Sequence, residues 1–164
     1  MIKPNDTALR LFEILSASGI EAYAVGGFVL MGLPVHDIDF AVSASPEETK
    51  RLLSPFAKMI DTGLKFGTVT AVFEGVPFEL TTFRADCGIK DGRHPQSVSF
   101  VRDIVSDLSR RDFTVNAMAW SPEKGLVDPF GGREDITKRL IRCVGEPSLR
   151  FEEDALRILR SLRF

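Results

Sequence analysis

The short segment His36-Asp37-Ile38-Asp39-Phe40 holds residue types suited to chemistry. On a strand, alternate side chains share a face, so Asp37 and Asp39 project together while Ile38 and Phe40 face a core. Two carboxylates held side by side repel each other unless a cation sits between them. Mg2+ suits such a pair: it is a hard ion that takes oxygen ligands and leaves positions open for phosphates. Taken alone, an Asp-x-Asp is better explained as the solvated edge of a strand. The surrounding residues shift that balance. Gly26-Gly27 lies upstream, just after a strand, where glycines let the backbone approach a phosphate and its N–H groups cradle it. A lone Gly-Gly is more often only a turn. Glu79 is a third carboxylate, set between Phe78 and Leu80. An acid in so apolar a strand needs a partner, either a shared metal or an arginine such as Arg84.

Two further groups of residues could handle a nucleotide. Arg110-Arg111-Asp112-Phe113-Thr114-Val115-Asn116 sets dense polar groups beside Phe113, Val115 and Met118. Arginine donors suit triphosphate oxygens, and Asn116 can hold a base, a sugar or the local backbone. A structural ion-pair cluster explains the spacing equally well. In the last segment, Asp154, Arg157, Arg160 and Arg163 recur at i, i+3 spacing, a slowly drifting stripe on one helical face. Asp accepts hydrogen bonds and Arg donates them. The pairing edges of cytosine and adenine offer an amine donor beside a ring-nitrogen acceptor, so an Asp–Arg pair can read either base. The plainer alternative is a solvated face of i, i+3 and i, i+4 ion pairs, including Glu153 with Arg157.

These residues need elements to hold them. Asn5 or Asp6 caps a first helix with apolar face Leu9, Phe12, Ile14 and Leu15, stopped by Gly19. Glu21 to Val25 and His36 to Val42 read as strands. Ser45-Pro46-Glu47-Glu48 is a capping box with proline at the first helical position. Residues 67–73 and 76–83 flank Glu74-Gly75 as a hairpin. Residues 86–99 have no period and read as a loop. Helical segments are expected near 102–120, at 132–139, and from Ser148 to Phe164. That last helix carries no stop signal, and Ile158, Leu159 and Leu162 have no evident partners. A fragment of a longer chain is expected on that ground, with self-association through the terminal helix as a further expectation.

The 164 residues are 44% apolar and 27% charged, enough for a domain with a real core. No apolar run has the length of a membrane span, and the N-terminus lacks a signal-peptide pattern. Cys87 and Cys143 are the only cysteines and form no CxxC, so neither a disulfide framework nor a zinc site is expected, and a reducing, cytoplasmic setting is. The net charge of −2 argues against a broad electrostatic nucleic-acid binder. Arginines nevertheless cluster at 102–111, 133–142 and 150–163, giving a local basic surface.

Taken in order, the segments resemble the class II tRNA nucleotidyltransferases (CCA-adding enzymes) and the related bacterial poly(A) polymerases. The resemblance runs from Tyr23-Ala24-Val25-Gly26-Gly27 through Asp37-Ile38-Asp39, Lys65-Phe66-Gly67-Thr68 and Phe78 to Arg84. It continues through Arg110 to Asn116 and Val127-Asp128-Pro129-Phe130-Gly131-Gly132, and closes on Phe151 to Arg157. It implies an α/β (α+β) fold: a polymerase-β-like head with a mixed sheet and flanking helices over residues 1–135, then the start of a helical neck over 136–164. It also implies that Asp37 and Asp39 bind Mg2+, with Glu79 as the third carboxylate. Gly26, Gly27, Arg111 and Asn116 would contact the nucleotide. Asp154 and Arg157 would read the base, and Arg160 and Arg163 would complete the pocket. The loop at 86–97 would be the flexible loop used in changing from C to A addition. The implied reaction adds C, A or both from CTP and ATP to the 3′ end of tRNA, with release of pyrophosphate.

Two departures bear on that expectation. The family follows Gly-Gly-x-Val with Arg-Asp, whereas Val29 here is followed by Leu30-Met31-Gly32-Leu33-Pro34, and the link is shorter. The missing arginine normally touches the triphosphate, a contact contributing roughly 1.5–3 kcal/mol. The body and tail that hold tRNA in the family are also missing. A poly(A)-adding core and a non-catalytic nucleotide- or RNA-binding module therefore stand as rival readings.

Overall fold

The computed structural model describes residues 5–26, 38–89 and 95–163. Gly27, Asp37 and the Leu30 to Pro34 link lie outside the described residues. Helix α1 (Asp6–Ala17) starts where the Asn5 side chain accepts a 2.7 Å bond from the Ala8 amide. It buries Ala8, Leu11, Phe12 and Leu15. The expected stripe had Leu9 and Ile14 in place of Ala8 and Leu11. Helical spacing makes 8, 11, 12 and 15 one continuous face, and Leu9 and Ile14 flank it half-buried. Helix α2 (Pro46–Leu53) has the expected capping box, with Ser45 and Glu48 exchanging bonds of 3.0 and 3.2 Å.

Seven strands form one mixed sheet in the order β3-β4-β5-β2-β1-β8-β9. They are β1 (Ala22–Val25), β2 (Asp39–Val42), β3 (Lys58–Gly63), β4 (Thr68–Phe73), β5 (Val76–Thr82), β8 (Ala119–Ser121) and β9 (Gly125–Val127). β2 and β5 run parallel, and the other neighbours antiparallel. The β4–β5 hairpin turns on Glu74 and Gly75, with φ of 50° and 80°. Two successive left-handed residues match the twist of the flanking strands. Arg10 of α1 pairs with Glu74, fastening the helix to that turn.

Strand alternation sorts the core into two layers. Ala22, Ala24, Phe40, Val42, Phe78 and Leu80 pack with α1 and α2 on one face. Tyr23, Val25 and Ala41 face the other way, onto Phe83, Ile104, Leu108 and Val144. Helix α3 (Ile104–Ser109) covers this second face, capped by Asp103, which accepts from the Ser106 amide at 2.8 Å. The helical region expected at 102–120 is thus shorter. Phe113 is extended and bridges to Cys143, a 3-10 turn follows at Thr114–Asn116, and β8 begins at Ala119.

The expected loop at 86–99 is instead mostly a ribbon, β6 (Arg84–Ile89) antiparallel to β7 (Pro95–Phe100). Helix α4 (Gly132–Lys138) is capped by Asp128, which accepts from the amides of Gly132 at 2.7 Å and Arg133 at 2.9 Å. Gly131 takes the left-handed conformation, φ 76°. A Cβ on Gly132 would stand 2.2 Å from the Thr114 carbonyl oxygen, so only glycine lets α4 lie against the 3-10 turn.

The terminal helix is not continuous. It breaks into α5 (Pro147–Glu153) and α6 (Leu156–Ser161) at Asp154, whose φ of −152° and ψ of 102° are extended. The Asp154 carboxylate accepts from the Leu156 amide at 2.9 Å, a local bond that competes with the helix. The single stripe expected from Asp154 to Arg163 is therefore interrupted at its first residue. Leu159 of α6 and Leu162, just beyond its end, are exposed. No helix among the described residues is long and apolar enough to cross a membrane.

Candidate nucleotide-binding site

Parallel pairing brings two of the candidate carboxylates together. Asp39 of β2 is in register with Glu79 of β5. Both are exposed, while their strand neighbours Phe40, Phe78 and Leu80 are buried on the opposite face. Like-charged side chains directly opposed in a sheet repel, so a cation between them is the natural complement. Their oxygen-only chemistry fits a hard divalent ion. Among the described residues no cluster of three or more metal-ligating side chains occurs; Asp37, expected to bind the ion together with Asp39, lies outside them. The alternative partner for Glu79, Arg84, donates instead to the Phe66 carbonyl.

The arginine block lies on the same side of the sheet, beyond α3. Asp107, 1% exposed, accepts from Arg110 and Arg111 at 3.1 Å each. It also accepts from the Arg84 amide at 3.2 Å. Burial holds the Arg111 guanidinium below its usual pKa; Asp107 opposes that shift most, Arg110 adds to it, and Asp39 opposes it more weakly. Asp39 shares its face of β2 with Ala41, which packs in the same layer as Ile104 and Leu108 of α3, so the acidic pair and the arginine block lie on one side of the sheet. The Arg111 Nε is buried without a hydrogen-bond partner among the described residues. The guanidinium, oriented by Asp107 and partly exposed, presents its open edge in a form suited to a phosphate oxygen.

The remaining candidates are spoken for within the protein. Gly26, with φ 111°, donates its amide to the Met118 carbonyl at 3.1 Å. Asn116 donates to Asp112 at 3.1 Å, and Arg160 donates to the same carboxylate at 2.8 Å. Arg157 donates to Glu153 at 2.7 Å, to the Arg150 carbonyl at 3.1 Å and to the Arg110 carbonyl at 3.3 Å. The ion pair with Glu153 is the one expected from a plain helical surface. Arg163 is exposed near the end of the chain.

Two buried acids escaped sequence reasoning, Asp107 and Asp135, while the buried Asp112 was read only as part of the arginine block. Asp135 accepts from the Thr114 hydroxyl at 2.6 Å and from Arg142 at 3.0 Å. The one readable signal was at Asp107, which precedes Arg110 and Arg111 by three and four residues. At the opposite end of β1, a groove of about 540 Å3 lies between α1 and the β8–β9 turn, lined by residues such as Phe12, Tyr23 and Lys124.

A mixed seven-stranded sheet with flanking helices, opposed carboxylates and an arginine block on one side defines a protein of the α/β class. The chain belongs to the poly A polymerase head domain family, whose model matches residues 22–142. It is 50% identical over its whole length to a CCA-adding enzyme of Geobacillus thermodenitrificans (strain NG80-2), covering 41% of that protein. Its fold matches the Bacillus stearothermophilus CCA-adding enzyme in complex with CTP, with a TM-score of 0.85 and 46% identity over 100% of this chain and 39% of that one. It also matches a tRNA nucleotidyltransferase complexed with a primer tRNA and an incoming ATP analog, with a TM-score of 0.71 and 32% identity over 94% of this chain and 44% of that one. The chain thus spans about two fifths of the length of these relatives.

Proposed function

We propose that this chain is the catalytic core of a template-independent RNA nucleotidyltransferase. It adds C, A or both to the 3′ end of tRNA from CTP and ATP, with release of pyrophosphate, in a cytoplasmic setting. The observation that carries this reading is the in-register pair Asp39 and Glu79 on the same side of the sheet as Arg111. The likeness to CCA-adding enzymes supports the choice of nucleotide and RNA.

In this reading Asp37, Asp39 and Glu79 hold Mg2+. When bound, the ion supplies a Lewis acid that eases deprotonation of the RNA 3′-hydroxyl and offsets charge on the leaving pyrophosphate. Gly26 and Gly27 bring backbone close to the phosphates. Arg111 turns the exposed edge of its guanidinium to a phosphate oxygen, where fixed positive charge counts most in the transition state. Asp154 and Arg157 read the base, with Arg160, Arg163 and Asn116 around them. For that, Asp154 releases the Leu156 amide and Arg157 leaves Glu153. Residues 1–135 form the head and 136–164 open the neck.

The test is incubation with Mg2+, labelled CTP or ATP, and tRNA lacking its 3′ end, with products resolved by length. Addition ending at C or CCA is expected, and is lost in Asp37→Ala and Asp39→Ala with folding unchanged. Full activity in both variants would overturn the metal assignment. A long A tract would favour a poly(A)-adding core, the reading suggested by the name of the family model.

A further inference from the structure

We propose that Asp107 is a positioning residue for the triphosphate subsite, acting through Arg110 and Arg111 without touching the ligand; this rests on the nucleotide-binding reading above. Its carboxylate is 1% exposed and uses both oxygens. One accepts from Arg110 Nε at 3.1 Å and from the Arg84 amide at 3.2 Å; the other accepts from Arg111 Nη2 at 3.1 Å. One buried acid therefore sets the direction of two neighbouring cations and pins the root of the β6–β7 ribbon to α3. Arg111 is 21% exposed along its side chain, and its Nε has no hydrogen-bond partner among the described residues. With Nη2 held on Asp107, the remaining donors of the rigid guanidinium fork are aimed rather than free to rotate.

Two effects of removing Asp107 oppose each other. Loss of a negative charge leaves the local potential more positive, which by Coulomb attraction alone would tighten anion binding. Loss of the anchor removes a holding contact from each arginine, and the mobility so gained must be given up again when the ligand binds. Orientation is expected to win: two re-ordered arginines amount to roughly tenfold or more in affinity. The sign of the change thus separates an orienting carboxylate from a merely neutralising one.

The experiment is calorimetric titration of the chain with inorganic tripolyphosphate, CTP and CMP in Mg2+, for wild type, Asp107→Asn and Asp107→Ser. Near-UV circular dichroism checks folding. Serine keeps an acceptor for the Arg84 amide while releasing the arginines, so one variant serves if the other misfolds. We expect about tenfold weaker binding of tripolyphosphate and CTP, with CMP changed by less than about twofold. In the addition assay the same variants should raise the KM for CTP far more than they lower kcat. Unchanged or tighter tripolyphosphate binding in a folded variant would overturn the proposal while leaving the nucleotidyltransferase reading in place. Absence of tripolyphosphate and CTP binding by wild type would overturn both.

Discussion

Gly131 and Gly132 stand side by side for different reasons, and alanine at each should separate them. At Gly131 the left-handed φ of 76° is the whole constraint, since nothing lies within 4 Å of a Cβ there. Alanine in that conformation costs about 1–2 kcal/mol. At Gly132 the added Cβ would meet the Thr114 carbonyl oxygen at 2.2 Å, its carbon at 2.8 Å and Met118 Cγ at 3.0 Å. Thr114 cannot easily retreat. Its carbonyl accepts from Ala117, its amide donates to Arg142 and its hydroxyl donates to the buried Asp135. Helix α4 must shift by roughly 1 Å, since a Cβ needs at least about 3 Å from any atom. That shift would stretch the Thr114–Asp135 bond beyond hydrogen-bonding range. Overpacking contributes about 1–3 kcal/mol and the disrupted buried bond about 1–3 more, so Gly132→Ala should lose about 2–6 kcal/mol. For a chain of this length, at about 2–4 °C per kcal/mol, that corresponds to a Tm lower by at least about 4 °C. Urea and thermal unfolding of both variants would measure it. A loss at Gly132 no larger than that at Gly131 would refute the steric reasoning.

Other perturbations reach the site and the surface. Glu79→Gln should abolish most nucleotide addition while shifting Tm by less than about 2 °C, because an exposed carboxylate contributes little to folding; activity assays beside calorimetry check it, and an active variant would remove Glu79 from the site. Asp154→Ala should blur the preference for CTP and ATP over UTP in competition assays more than it lowers stability; unchanged discrimination would end its assignment to base reading. Lys124 and Tyr23, bonding to Glu21 at 2.5 and 2.6 Å, hold its carboxyl below the usual range. A depressed acid stabilises the fold above its unfolded pKa and loses that contribution as pH falls through the folded value. Wild type should therefore exceed Glu21→Gln in stability at neutral pH, by less than about 1 kcal/mol after screening of a side chain 39% exposed. The gap should close below pH 4.5, the ordinary value for Glu. A gap that persists in acid would show that packing, not charge, is responsible.

Features with a local cause were legible in the sequence. The capping box at Ser45 and the Glu74-Gly75 hairpin each depend on a few adjacent residues, and both formed as read. β3 escaped because it is an edge strand with no buried side, so no alternation marks it. The β6–β7 ribbon escaped because its Gly, Asp and Pro residues resemble turn composition, while pairing across the ribbon supplies the order. The break at Asp154 was hidden in a run of good helix formers. A single side-chain bond to the Leu156 amide decides it. At the site, Glu79 was visible as an acid between apolar neighbours. Asp107 was not singled out, because an acid on a short helix looks like a solvated face until its burial is known.

Strand order also bears on synthesis of the chain. Every fully buried residue of the first core layer falls between Ala8 and Leu80, so that layer can close while the ribosome is still making the rest. Asp39 and Glu79 would then already be side by side. The amide of Gly26, by contrast, bonds to Met118, and β1 is completed on its other edge only by β8. Arg111 and its anchor on α3 likewise emerge late. A nascent chain would thus carry its acidic pair well before the cations that balance it, and competence to hold a triphosphate would arrive only after residue 121 had left the exit tunnel.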